Sequence, residues 1–168
     1  VPWWYFAGQT GLLGNQPLER VDPGGVFFHG LGAARVVGCV VLSANEIVSP
    51  GVVQNRSSTN AFVLGAVLPG QPLTGTLSGL VELLPDASVS DNIRQVVWHK
   101  LLLNMGSSLL GCLTQSRSSQ VAASPELLDI FRSIMQQGSQ VAAALGVDVP
   151  PDLESRLERM RRNQHRCS

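Results

Sequence analysis

The sequence predicts a chain in two parts, α/β up to about residue 90 and all-helical beyond it. Three observations predict this. Apolar, β-branched runs at 35–43, 51–54 and 61–67 crowd the first part. Ser90 and Asp91, both good helix N-caps, precede a proline-free apolar stretch at 93–113. After that stretch, Pro125 and Pro150-Pro151 stand where helices begin.

Residues 1–34 are rich in Gly, Pro and Asn without a sustained period, and read as loop with short extended pieces. The continuous run at 35–43 suits a buried strand. The short link 55–60 predicts an antiparallel hairpin between 51–54 and 61–67. A helix follows over 74–84, stopped by Pro85, and then a last short strand at 87–90. So few strands leave the 35–43 edge uncovered, so a larger sheet completed by upstream sequence is expected. Ser124-Pro125-Glu126 starts a helix that runs to about Leu145 and stops at Gly146, and Pro150-Pro151-Asp152 opens another reaching about Arg162. A domain boundary is placed near residue 90.

Composition narrows the function classes. Hydrophobic residues make up 44% and charged residues 14% of the 168, with a formal net charge of +0. That composition forms a core. A neutral chain has no electrostatic footprint for nucleic acid or an anionic membrane. No run is expected to approach the ~20 apolar residues of a membrane helix. The start, Val1-Pro2-Trp3-Trp4-Tyr5-Phe6, has neither an initiator methionine nor a signal-peptide layout, so the chain is expected to begin inside a longer protein. Cys39, Cys112 and Cys167 are scattered, which fits a reducing, cytoplasmic setting. His29, His99 and His165 show no zinc-ligand spacing, and no metal is expected.

The 93–113 helix carries the candidate site. Val96, Val97, Trp98, Leu101, Leu102, Leu103, Met105, Leu109 and Leu110 cover most of its circumference, so a buried helix is expected. Set among them, four apart, are Lys100, Asn104 and Ser108, which stack along one helical stripe. Lys100 is the only lysine among twelve basic residues. Arginine replaces lysine in most surface roles, but not where a group must give up a proton near neutral pH. A narrow solvated stripe is the bland alternative; the apolar surroundings weigh against it, since desolvating an idle lysine is costly. Burial also brings a lysine toward the range useful for general acid catalysis.

Other features have plainer readings. Gly8-Gln-Thr-Gly11-Leu-Leu-Gly14 is neither a dinucleotide fingerprint nor a P-loop, and its glycines read as turn residues. Arg156, Arg159, Arg161, Arg162 and Arg166 read as helix-end and solvent-facing charges. Trp3, Trp4, Tyr5 and Phe6 read as packing near an interdomain cleft, and Met105 and Cys112 as core fillers.

Asp91-Asn-Ile-Arg94, Trp98-His-Lys100-Leu-Leu-Leu-Asn104 and Ser108-Leu-Leu together resemble the start of the C-terminal domain of ketopantoate reductases (2-dehydropantoate 2-reductases). In that family a tryptophan stands two residues before the catalytic lysine and an asparagine four after it. Pro2-Trp3-Trp4-Tyr5-Phe6 resembles the stretch after the family's Asn-Gly turn. The runs at 35–41, 50–53 and 62–65 resemble the closing strands of its nucleotide-binding domain. His165-Arg166-Cys167-Ser168 resembles the start of a substrate-contacting serine stretch.

The resemblance implies that residues 1–90 end a Rossmann-like NADPH-binding domain. Residues 91–168 would then be a truncated helical domain for substrate binding and for homodimerisation. It implies NADPH-dependent reduction of a 2-keto acid, of the ketopantoate-to-pantoate type in pantothenate biosynthesis. Lys100 would be the general acid, and Asn104, Ser108 and Ser168 would bind substrate. Ser108 replaces the family's second asparagine, which leaves the identity of the keto acid open. The nucleotide loop, the asparagine before Pro2 and a substrate-binding glutamate would lie outside the chain, so the 168-residue piece alone is expected to be inactive. The alternatives are a related reductase for another keto acid and a non-catalytic remnant serving as a helical oligomerisation module.

Overall fold

A computed structural model describes residues 1–57 and 60–162, which form two compact units, one up to Val96 and one from Val97 onward. In the first unit, residues 1–34 are loop and turns as expected, with short helical pieces in place of the extended ones. Helix α1 (Val26–Gly30) follows a 3-10 turn at Pro23–Gly25, in which Gly24 and Gly25 have φ of 68° and 65°. The buried Asp22 carboxylate accepts from the backbone N–H groups of Phe27 (2.9 Å) and Phe28 (2.8 Å), satisfying donors that a helix start leaves open.

Five strands and one helix follow: β1 (Val37–Leu42), β2 (Asn45–Ser49), β3 (Val52–Asn55), β4 (Ala61–Ala66), α2 (Thr74–Leu83) and β5 (Ala87–Val89). A three-stranded sheet has the order β1-β4-β5. In it β1 and β4 are antiparallel from Val37↔Ala66 to Leu42↔Ala61, while β4 and β5 are parallel. Parallel pairing needs a crossover, and α2 provides it. One edge of β1 is taken by β4; the other has no strand partner among the described residues.

The expected hairpin across 55–60 does not form. Instead β3 folds back on β2, a strand the sequence reading omitted, through the tight turn at Pro50-Gly51, where Gly51 has φ of 77°. That turn closes a far shorter loop than 55–60 would. Side chains stitch the hairpin's base: Ser43 Oγ donates to Asn60 Oδ1 (2.7 Å), and Asn55 Nδ2 donates to Ser43 Oγ (2.9 Å) and Asn45 Oδ1 (3.0 Å).

The helical unit is built from α3 (Ile93–Thr114), which starts in the first unit, and from α4 (Ser118–Ala123), α5 (Pro125–Ala144) and α6 (Leu153–Arg162). Only part of α3 is buried, contrary to expectation. Trp98, Leu102, Gly106 and Leu110 form its buried stripe, whereas Leu109 and Leu113 are 50% and 73% exposed. The stripe interlocks with α5. A side chain at Gly106 would collide with Phe131, and one at Gly138 with Leu102. By length and composition alone α3 could also cross a membrane, which was not anticipated.

Short α4 escaped the sequence reading. Its start is tied by the Gln120 side chain, which accepts from the Arg117 N–H at 2.8 Å. Helix α5 begins at Ser124, whose Oγ accepts from Leu127 N–H (3.3 Å) and donates to Glu126 Oε2 (2.8 Å). It ends where expected: Gly146 has φ of 75°, and Val147 N–H reaches back to Ala142 O at 2.9 Å. Two surface readings need correction. Arg156 is only 4% exposed, because it shares the inner face of α6 with Leu157 and Met160. Cys112 is exposed and not a core filler, since it lies off the buried stripe of α3.

Gly106→Val should destabilise the chain by about 1–3 kcal/mol through overpacking against Phe131, read as a lower urea midpoint at unchanged slope. Ser124→Ala should cost about 1 kcal/mol as a lost N-cap. The Glu126 carboxyl is held below its ordinary pKa by its own backbone N–H and then by the Ser124 hydroxyl. A depressed carboxyl stabilises above its unfolded pKa, and that contribution fades as pH falls through the folded value. The gap between parent and Ser124→Ala in urea should therefore narrow on going from neutral pH to about pH 3.

Candidate active site

The candidate site lies on α3, whose first turn is seated within the first unit. Asn92, rather than Ser90 or Asp91, caps it: its Oδ1 accepts from Gln95 N–H at 3.2 Å, while Ser90 Oγ accepts from Asn92 N–H at 3.1 Å. Ile93 then sits on the sheet, 1% exposed, over the cross-strand pair Gly38↔Gly65. A Cβ on Gly38 would come within 2.9 Å of Ile93 Cγ1, and one on Gly65 within 2.8 Å of both Ile93 Cβ and Ser90 O. Both glycines are required by this close approach.

Arg94 docks the same turn onto the N-terminal segment. Its Nε donates to Tyr5 O (2.8 Å) and one terminal nitrogen donates to Ala7 O (2.6 Å). The guanidinium carbon lies 6.0 Å from the Trp4 ring centroid and 5.9 Å from that of Tyr5, within cation–π range. Desolvation lowers its pKa, opposed by the charge on Tyr5. The segment it grips is a closed turn: Tyr5 N–H bonds to Pro2 O, Ala7 N–H to Trp4 O, and Gly8 N–H to Asn15 Oδ1. Trp4 and Tyr5 are buried, in keeping with the packing role expected of them. Sequence reasoning quoted Arg94 within its motif but gave it no task. Its partners are backbone carbonyls 89 and 87 residues earlier, which leave no side-chain signature.

Further along α3, Lys100, Asn104 and Ser108 lie on one stripe, as the spacing predicts. Each stands two residues beyond a member of the buried row Trp98, Leu102 and Gly106, a turn of about 200° around the axis. The polar stripe therefore points away from the α5 contact. Lys100 and Ser108 are half-buried, and Asn104 is exposed. Helix α3 contains no acidic residue. Ser168, with Arg166 and His165, lies outside the described residues.

A phosphate cradle is not found among the described residues. The 8–14 glycines lie in turns, and two of their N–H groups are engaged, Gly14 N–H with Gly11 O and Gly8 N–H with Asn15 Oδ1. No three His, Cys, Asp or Glu side chains converge on a metal position among the described residues. A cavity of about 400 Å³ opens at the carboxyl ends of parallel β4 and β5, between Gln71, Leu77, Val89, Ser90 and Asp91. None of Lys100, Asn104 or Ser108 lines it.

The fold and site define a mixed α/β protein with a helical C-terminal region, joined by one long helix that bears a lone lysine and an amide. Comparison with known proteins agrees. Residues 92–168 match the family model described as ketopantoate reductase PanE/ApbA C terminal. The chain is 32% identical over 166 residues to a 2-dehydropantoate 2-reductase from Mesorhizobium japonicum, covering 94% of this chain and 49% of that protein. A candidate ketopantoate reductase from Ralstonia solanacearum superposes with a TM-score of 0.82 at 27% identity, over 98% of this chain and 51% of the other. A 2-dehydropantoate 2-reductase from Porphyromonas gingivalis shares the fold, with a TM-score of 0.66 at 20% identity over 84% of this chain and 50% of the other. The chain belongs to the ketopantoate reductase family. It spans about half the length of these relatives.

Gly65→Ala should be poorly tolerated despite its small size, because the new methyl meets backbone as well as Ile93. A loss of about 1–3 kcal/mol is expected in equilibrium unfolding; stability equal to the parent would show that Ile93 does not depend on this seat.

Proposed function

We propose that this chain carries the proton-donating part of an NADPH-dependent 2-keto acid reductase, of the type that reduces ketopantoate to pantoate in pantothenate biosynthesis. The observation that supports it is Trp98, Lys100 and Asn104 at family spacing on one continuous helix, with the lysine and the amide turned away from the helix's own packing face. In this reading residues 1–90 end a Rossmann-like domain, and the β4–α2–β5 crossover is consistent with that. Residues 91–168 serve substrate binding and homodimerisation. The described residues do not supply a nucleotide cradle, so the cofactor's contacts are assigned to sequence beyond this chain. When bound, the nicotinamide would deliver hydride to the ketone carbon.

The chain's own residues have distinct tasks in that reduction. Lys100 Nζ gives its proton to the ketone oxygen as negative charge develops there, and its charge favours that oxyanion beforehand. An amide and a hydroxyl on the same stripe suit the carboxylate and carbonyl oxygens of a 2-keto acid, which gives Asn104 and Ser108 their orienting role. Ser168 completes the substrate contacts. A reducing, cytoplasmic setting belongs to this reading. Ser108, where the family has asparagine, favours a second reading within the same chemistry, a reductase for a different keto acid.

In the full-length gene product, NADPH consumption should require a 2-keto acid. Lys100→Ala should lower kcat by about 10²–10⁴ without a matching loss of stability. Parental turnover in that variant would sink the mechanism. Assaying a panel of 2-keto acids decides which substrate Ser108 suits.

A further inference from the structure

Arg94 has a geometry that packing alone does not require. It is half-buried, yet its guanidinium edge is spent on two main-chain carbonyls two residues apart, Tyr5 O and Ala7 O, with the rings of Trp4 and Tyr5 about it. A simple anchor could have been apolar at this position, as neighbouring Ile93 is. A rigid planar fork does something else: it fixes an angle as well as a distance. The structure therefore holds the direction of the first turn of α3 against the Pro2–Ala7 turn at two points, while Ile93 on Gly38 and Gly65 supplies the third.

We infer that Arg94 is a positioning residue for Lys100, fixing the direction of the helix that presents the proton donor. This inference rests on the proposed function. Lys100 follows Arg94 by six residues on the same helix, about 9 Å along its axis. No proline interrupts α3 between them. A tilt of about 6° at the first turn would carry Lys100 sideways by about 1 Å, and a misplacement of about 1 Å can cost on the order of 10² in rate. Arg94 touches neither substrate nor cofactor in this scheme; it acts through the helix.

The test uses the full-length gene product with Arg94→Met, Arg94→Gln and Arg94→Lys beside Lys100→Ala, assayed with NADPH and ketopantoate. Arg94→Met is expected to lower kcat by roughly ten- to a hundredfold while KM changes by less than about threefold. Arg94→Lys keeps the charge but cannot bridge both carbonyls, and should recover only part of kcat. Amide hydrogen exchange across residues 4–9 should accelerate in Arg94→Met, with β1 and β4 unchanged, which a general loss of stability would not produce. If Arg94→Met does not fold, Arg94→Gln and Arg94→Lys carry the same comparison. Parental kcat in a folded Arg94→Met, a change confined to KM, or full recovery by lysine would each overturn the inference. Collapse in Lys100→Ala with parental kcat in Arg94→Met overturns it alone, whereas parental turnover in Lys100→Ala removes the proposed proton donor and this inference with it.

Discussion

The start of α3 depends on how its first turn is seated on the sheet of the first unit. Ile93 is a β-branched side chain with 1% of its surface exposed, and full burial of such a side chain contributes about 1.5–3 kcal/mol. It can come that close to a sheet only because two glycines face each other in register beneath it. On an ordinary sheet, side chains at 38 and 65 would lift the helix by roughly the size of a methyl group. Arg94 then converts a greasy contact into an oriented one. Hydrophobic burial has no preferred direction, whereas a guanidinium fork bound to two carbonyls does.

The same device recurs further along the helix. In the helical unit Phe131 fills the space above Gly106, and Leu102 the space above Gly138, so each helix offers a glycine to the other's large residue. Close approach of this kind occupies one narrow stripe of α3. That economy of surface leaves the opposite face available for Lys100, Asn104 and Ser108. A four-residue spacing keeps each series on its own side, and a two-residue offset separates them by about half a turn of the helix. Packing and the proposed chemistry therefore do not compete for the same positions.

What could be read in the sequence follows from the range of the forces involved. The start and end of α5 were legible because Ser124, Pro125 and Gly146 act on their own neighbours. The polar stripe was legible because helical period alone creates it, and the family motif gave the lysine a role. The β2–β3 hairpin was missed because Asn45-Glu46 does not read as strand and both strands are exposed, so no buried face imposes a pattern. Helix α4 spans six residues, too few to display a period. The burial of Arg156 was hidden because charged residues usually mark a solvated face, and only tertiary packing overrides that. Arg94 was invisible as a docking residue for the most basic reason: every residue except proline has the same two backbone hydrogen-bonding groups, so a carbonyl partner cannot be told from its sequence.

The choice of residue at position 100 is informative in this setting. Eleven of twelve basic residues are arginine, so the chain meets its other cationic needs without lysine, including the buried Arg156 and the bridging Arg94. Those are roles for a permanently charged planar fork. A proton donor has the opposite requirement, because its value lies in losing the proton at the moment charge appears on the substrate oxygen. In the proposed mechanism, arginine at Arg94 and lysine at Lys100, six residues apart on one helix, divide two kinds of work that are not interchangeable: one would keep its charge to hold a direction, and the other would give its proton away.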